Sequence, residues 1–442
     1  MCCKLLPITV LALEILNSVH VQAIGSYLPQ KSPVFPSIAT PTGVVTAVPA
    51  IGAAVPTGAL PTAPINLKGY PTTWKTPPTN SPEVKAAIAA IDWTMVPKAK
   101  VKTFDKNGNP IVKGYPSTDP DCWWSDTNCV VPKDKSIPSD IWYCPNPGDW
   151  GLTYDDGPLN PPDPLVEPHL YNFLAAHNQR ATLFYIGSNV FSFPQAAVRA
   201  LADGNVICVH TWSHPPMTTI SNNGVVAEFY WTLKVLKEVL GITPKCWRPP
   251  YGDVDDRVRA IAWQMGMHTV IWDQDSNDWD MPGEGGGTLS PATVDGYFEG
   301  WIKKRKSGKD NIHGHITLEH ELNNSTVAMA EKWLPTLQTT FNVVPITMCM
   351  NISSPYWESS FVYPTEANPN TSTSASSSAP AASSSSPLTS VLTAVSTSGS
   401  GTSAGTPQVT ASAGVAQSGG AHAIVVSAGM FVLPMLGVAM YM

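Results

Sequence analysis

Between Asp149 and about Met350, short apolar runs alternate with longer amphipathic ones, and this alternation limits the fold more than any other feature of the chain. Strand-like runs stand at Trp150–Tyr154, Ala181–Ile186, Val206–His210, His268–Trp272 and Ile316–Leu318. Helical periodicity predicts helices over Val166–His177, Pro194–Ala202, Val225–Leu240, Asp255–Met265 and Thr293–Lys306. Strands and helices taken in turn along one stretch make an α/β domain.

The texture on either side is different. The chain has 43 prolines, roughly twice average usage. They crowd with serine toward the two ends. Residues 24–80 are rich in Pro, Ala, Thr and Val without a sustained period, and read as extended and poorly packed. Residues 81–145 are transitional, with a short helix expected at Pro82–Ile91 and a Trp- and Cys-containing stretch around Cys122–Cys144. After Pro355 the composition turns to Ser, Thr, Ala and Pro as far as Gly420, the pattern of a disordered, O-glycosylated stalk.

The extreme ends read as processing signals. Lys4 precedes an apolar run, Leu5–Leu16, and Val21-Gln22-Ala23 resembles a small-x-small site, as in a signal peptide cleaved after Ala23. Ala423–Met442 is apolar and uncharged, and small residues lie upstream at Ser418-Gly419-Gly420. Small residues, a short spacer and an apolar tail form the pattern of a GPI-attachment signal, with Ser418 as the expected attachment residue. Cys2 and Cys3 would leave with the signal peptide. Six cysteines remain, at 122, 129, 144, 208, 246 and 349, an even number on an oxidising route. A Cys144–Cys349 bridge would clamp the ends of the dense region and Cys122–Cys129 would close a local loop; Cys208 and Cys246 either pair or stay as buried thiols. Sequons at Asn323, Asn324, Asn351 and Asn370 are expected at the surface. A net charge of −7 excludes a general nucleic-acid-binding surface.

The chemistry concentrates in a few segments. In Thr153-Tyr154-Asp155-Asp156-Gly157-Pro158 a strand runs into two adjacent carboxylates and a turn. Two such charges repel unless something offsets them, and a metal that takes one and leaves the other as a base would do so. A solvated strand-end turn is the plainer alternative. His210-Thr211-Trp212-Ser213-His214 also follows a strand, and histidines at i and i+4 can share one face of a helical turn. Two histidines and one aspartate make the three-ligand set of a catalytic zinc site, with a position left for water. Cobalt, iron or manganese would suit the same donors.

Arg248-Pro249-Pro250-Tyr251-Gly252, Asp275-Ser276-Asn277-Asp278-Trp279 and Leu318-Glu319-His320 follow in order. With these five motifs, residues 147–350 resemble carbohydrate esterase family 4, the polysaccharide deacetylases with a NodB-homology domain. The flanking segments make the whole most similar to the chitin deacetylases of fungi. The resemblance implies a distorted (β/α) barrel with fewer than eight repeats, the site lying at the carboxyl ends of the strands. It implies Asp155 as general base, and Asp156, His210 and His214 as zinc ligands. Arg248 would orient the base, the Tyr251 backbone N–H would meet the oxyanion, and His320 would be the general acid. Leu318 would line the acetyl pocket, Trp279 would wall it, and Asp275, rather than Asp278, would partner His320. The acids at Glu319 and Glu321 would raise the pKa of His320 if they point inward.

The expected organisation is a signal peptide (1–23), a Pro/Ala/Thr-rich segment (24–100), a Cys/Trp lead-in (101–146), a catalytic domain (147–350), a stalk (351–420) and a GPI signal (421–442). The expected function is zinc-dependent removal of N-acetyl groups from chitin, giving chitosan and acetate, by a secreted, surface-anchored monomer. A deacetylase of peptidoglycan or acetylxylan, or a non-catalytic anchored wall protein, are the alternatives.

Overall fold

The computed structural model describes residues 29, 31–39, 41–49, 65–106, 108–158 and 169–369. The expected signal peptide, Asn370, Ser418 and the terminal apolar tail lie outside them. Among the described residues, no helix is long and apolar enough to cross a membrane.

Among the described residues, nine short strands form two sheets, and every strand pairing within them is parallel. They are β1 (Asp149–Gly151), β2 (Thr153–Gly157), β3 (Thr182–Tyr185), β4 (Val206–Val209), β5 (Cys246–Trp247), β6 (His268–Thr269), β7 (Gln274–Asp275), β8 (His315–Leu318) and β9 (Asn342–Val344). One sheet has the order β2-β3-β4-β5-β6 and the other β7-β8-β1-β9. The two meet where Asp155 N donates to Glu319 O (2.9 Å) and Glu321 N donates to Asp155 O (3.1 Å). Parallel strands covered on both faces read as continuous apolar runs. β3 (TLFY) and β4 (VICV) are of this kind, buried at every position.

Helices cover the strands. The longest, Asn222–Leu240, starts at Ser221, whose Oγ accepts from Gly224 N, and stops at Gly241. Gly241 has φ 72°, the left-handed conformation that ends helices at least cost when no Cβ is present. Pro291–Lys306 carries Pro at its first turn behind a Ser290 cap, which follows the same start rule.

The strands are shorter and more numerous than the sequence reading. The run His268–Trp272 forms a strand only at β6, with Val270 in a single bridge to Ile141, and Trp150–Tyr154 divides at Leu152 into β1 and β2. β5, β7 and β9 are too short to show a period. The helix Asn324–Thr340 was not expected; it carries Pro335 in its interior.

The core also exceeds 147–350. Trp123 and Ile141 are buried on one side, and Tyr356, Phe361 and Tyr363 on the other. Tyr356 OH accepts from Ile207 N (2.8 Å) and Tyr363 OH donates to Asn205 O (2.9 Å), so residues up to 363 pack as domain, not stalk. Part of the 24–80 stretch packs as well. Tyr70 stacks on Trp212, with ring centres 5.7 Å apart. The disulfides are Cys122–Cys129, Cys144–Cys349 and Cys208–Cys246, which resolves the last pair as a bridge.

Candidate active site

The adjacent carboxylates are separated by a break in the sheet. Pairing of β2 with β3 shifts register between Asp155 and Gly157, and Asp156 in the gap has φ 71°. A bulge of this kind re-aims a side chain. Asp155 therefore faces Arg248, whereas Asp156 faces two imidazoles, with Oδ1 3.2 Å from His214 Nε2 and 3.5 Å from His210 Nε2.

His210 follows β4, and its Nδ1 lies 2.8 Å from the Arg248 carbonyl. A carbonyl only accepts, so Nδ1 carries the proton and the Nε2 lone pair is turned toward Asp156. The buried Asp156 Oδ1 makes no hydrogen bond. The His210 electron pair turned toward an unpartnered carboxylate oxygen, with the His214 Nε2 close to the same oxygen, makes a donor set that fits a divalent cation. Burial opposes a charge on Asp156, yet His214 and His210 hold its carboxyl well below the usual range. Among the described residues, two other His/Cys/Asp groups stand close together but are committed elsewhere. In one the cysteines form the Cys122–Cys129 bridge; in the other His315 lies between Asp273 (2.5 Å) and Asp310 (3.0 Å).

The two histidines do not share a helical turn. Thr211 (φ 65°) and His214 (φ 58°) are both left-handed, and the segment is an irregular loop. A backbone so bent persists only where its surroundings over-determine it. Glu228, fully buried on the Asn222–Leu240 helix, does this by accepting from Trp212 N (2.8 Å), Ser213 N (2.8 Å) and Ser213 Oγ (2.5 Å). Burial pushes its carboxyl up to about 7 despite these donors. Nothing in the local sequence marks Glu228, because its partners lie 15 and 16 residues away.

Arg248, at 0% exposure, donates from Nη1 to Asp155 Oδ1 (2.7 Å) and Thr153 Oγ1 (2.7 Å), and from Nη2 to Ile271 O (3.2 Å). The Phe184 ring lies 4.1 Å from its guanidinium carbon. A buried ion pair is stable only when such additional bonds satisfy the remaining groups. Asp155 Oδ1 is thereby occupied, while Oδ2 lies 3.8 Å from His210 Nε2 on the side of the proposed ligands.

His320 closes the opposite side. Its Nδ1 donates to Asp278 Oδ1 (2.7 Å) and its backbone N–H to Asp278 Oδ2 (2.9 Å). Burial disfavours the imidazolium, but Asp278 outweighs it, with smaller help from Asp156 and Asp155, and His320 is pushed up to about 10. The expected partner, Asp275, is not the one in contact. Asp275 Oδ1 accepts from Asn277 N (2.8 Å), and desolvation raises its carboxyl to about 6. Asn277 turns left-handed (φ 52°), and Ser276 Oγ donates to Leu318 O (2.8 Å), which brings Asp278 against His320. The flanking glutamates are not among the main causes of the rise in His320. Glu321 accepts from Tyr171 OH (2.7 Å), and burial pushes Glu319 up to about 8, toward its neutral form.

Tyr251 has φ 59°, and its ring, 60% exposed, meets His214 edge-on at 4.7 Å. Leu318 is buried at the end of β8, and Trp279 is half-buried in the turn Asp278–Asp280. Trp124 and Trp272, unmarked by the motifs, pack 5.0 Å apart beside Arg248. A Cβ on Gly252 (φ 69°) would collide with Trp124, so the turn after Tyr251 requires glycine. Of the sequons, Asn324 is exposed and Asn351 half-buried. Asn323, expected at the surface, is 3% exposed, caps the helix Asn324–Thr340 and donates from Nδ2 to Glu284 O (3.0 Å).

A family model described as polysaccharide deacetylase matches residues 143–270. The chain is 43% identical over 299 residues to a chitin deacetylase of Amylomyces rouxii, a match covering 66% of this chain and 69% of that one. It is 40% identical over 306 residues to chitin deacetylase 2 of Cryptococcus neoformans var. grubii, covering 67% and 65%. Among solved structures, the chitin deacetylase of the fungal pathogen Colletotrichum lindemuthianum aligns at 25% identity with a TM-score of 0.44, over 50% of this chain and 96% of that one.

Proposed function

Because this chain belongs to the polysaccharide deacetylase family, we propose that it hydrolyses the N-acetyl groups of chitin, releasing acetate and leaving chitosan. The observation that carries this reading is the two buried acid–base pairs, Asp155 with Arg248 and His320 with Asp278, next to the Asp156, His210 and His214 donors. The relatives' named activity supports chitin as the polymer. We read the two joined sheets as a distorted barrel, with zinc as the metal and a monomer as the working form. The three disulfides fit an exported protein, and the signal-like start and apolar tail support secretion and GPI anchoring at the cell surface or wall.

A divalent cation held by Asp156, His210 and His214 would supply Lewis-acid polarisation and lower the pKa of water. The remaining work falls to the chain's own side chains. Asp155 Oδ2 accepts a proton from the water that attacks the acetamide carbon, while Arg248 compensates the charge of Asp155 and fixes Oδ1. The Tyr251 backbone N–H donates to the developing oxyanion. His320 gives the proton on Nε2 to the departing nitrogen, and Asp278 holds the Nδ1 proton in place. The C–N bond breaks, the water oxygen stays with acetate, and the sugar keeps a free amine. Leu318 and Trp279 wall the methyl group.

The test is acetate release by the purified, zinc-loaded chain from chitin oligomers, acetylxylan and peptidoglycan in parallel. Release from chitin, lost on chelation, is expected. Release from either other polymer in its place would reassign the substrate, and release from none would overturn the enzyme reading.

A further inference from the structure

The segment before the catalytic strands is tied to the loop that carries His210 and His214. Tyr70 lies flat on Trp212, its OH donates to Glu238 Oε2 (2.8 Å), and Lys234 Nζ sits 4.2 Å from its ring centre. Trp212 Nε1 donates to Thr72 O (3.2 Å). Two residues on, Trp74 N donates to Ser188 Oγ (2.8 Å), and that hydroxyl donates to Trp212 O (2.6 Å). The next residue along, Asn189, donates from Nδ2 to Asp156 O (2.7 Å). Trp74 is thus anchored beside the residues that hold Asp156 and the metal-ligand loop.

Its side chain, by contrast, is 47% exposed, and its backbone is left-handed at φ 61°. A bulky residue there is an outlier that the surroundings must enforce. A single exposed apolar side chain usually means nothing; Ile312 is 89% exposed and carries no such backbone. Trp74 differs in being held, at its own N–H, on the edge of the site. Tyr251 repeats the combination on the His214 side, with φ 59° and 60% exposure. Rigid aromatic rings offer large contact area at low entropic cost, and an uncharged polymer of pyranose rings presents apolar C–H faces that stack on them.

We infer that Trp74 is a stacking platform for a sugar unit of a longer oligomer, beyond the two that a disaccharide fills, so that the Pro-rich N-terminal segment forms part of the substrate site. The inference rests on the polysaccharide reading above. It means that affinity for long oligomers depends on a residue outside the catalytic strands.

The test compares the full chain and Trp74→Ala on the disaccharide and pentasaccharide of N-acetylglucosamine. The expected result is a KM for the pentasaccharide raised by about five- to tenfold, with kcat, bound metal and disaccharide kinetics unchanged. Trp74→Phe, which keeps a ring, should recover most of the difference. Equal effects on both lengths, no effect on either, or loss of bound metal would overturn the inference. Binding of the pentasaccharide to Asp155→Asn and to Asp155→Asn/Trp74→Ala, read by tryptophan fluorescence, separates the two proposals. An inactive native enzyme whose Asp155→Asn form still binds through Trp74 would sink the deacetylase chemistry alone.

Discussion

The two flanks of the site are built with opposite charges. On one, the carboxylate of Asp155 meets the guanidinium of Arg248, which also donates to Thr153 and Ile271 and packs against the Phe184 ring. On the other, the imidazole of His320 meets the carboxylate of Asp278, which grips both its ring and its backbone. The first arrangement suits a group that takes a proton, the second one that gives it up. Both partners are buried, so neither interaction is diluted by water, and each flank depends on one residue of opposite sign. Hydrolysing an amide needs both roles within one site, and here the roles are assigned by neighbours, since Asp and His can each serve as acid or base.

Removing the proposed base should have the largest effect. Asp155→Asn is expected to lower kcat on the order of 10²–10⁴-fold while metal content, measured by atomic emission, stays at the native level. Loss of the metal in that variant would place Asp155 among the ligands and dissolve the contrast with Asp156.

The His210–His214 loop stands between the flanks and should respond in affinity before rate. Glu228→Gln keeps the size of the side chain but presents an NH2 where at least one of three donors now points. Metal affinity, read by competition with a chelating dye, should weaken roughly 10–100-fold. Unchanged affinity would mean that the loop holds its shape without Glu228.

The smallest expected effects concern the sequons behind the acid flank. Asn323→Gln removes a helix cap and should cost about 1 kcal/mol of stability in denaturant unfolding, without changing glycan mass. Asn324→Gln should remove a glycan and leave stability within about 0.5 kcal/mol. The reverse pattern would place Asn323 at the surface after all.

The base flank was legible in the sequence and the acid flank only in part. Asp155 and Asp156 stand at the end of β2, His210 directly follows β4 and His214 is four residues further on, so their order along the chain carries their placement. Even there the local shape was misjudged: a four-residue spacing reads as a helical turn, whereas Thr211 and His214 are left-handed and are fixed by a glutamate from a distant helix. Asp275 and Asp278 are three apart in one segment, and choosing between them depends on the turn at Asn277 and on Ser276 reaching Leu318. The second is a contact across 42 residues, which spacing does not encode. The packing of Tyr70 and Tyr363 was hidden for a related reason, since both lie in or beside Pro- and Ser-rich stretches whose average composition resembles that of unfolded chain.

The pairing of His320 with Asp278 is open to a direct measurement, the pH dependence of kcat/KM in Asp278→Asn beside Asp275→Asn. In the native chain the His320 pKa is raised from its ordinary value near 6.5 to about 10. The charged pair therefore contributes stability fully below pH ~6.5, a contribution lost as pH rises through about 10. Asp278→Asn removes the main cause of the rise, so the alkaline limb of kcat/KM should move toward neutral pH, and Asp275→Asn should leave it much closer to native. An unmoved limb in Asp278→Asn, or a larger shift in Asp275→Asn, would contradict the assignment of His320 as an acid poised by Asp278.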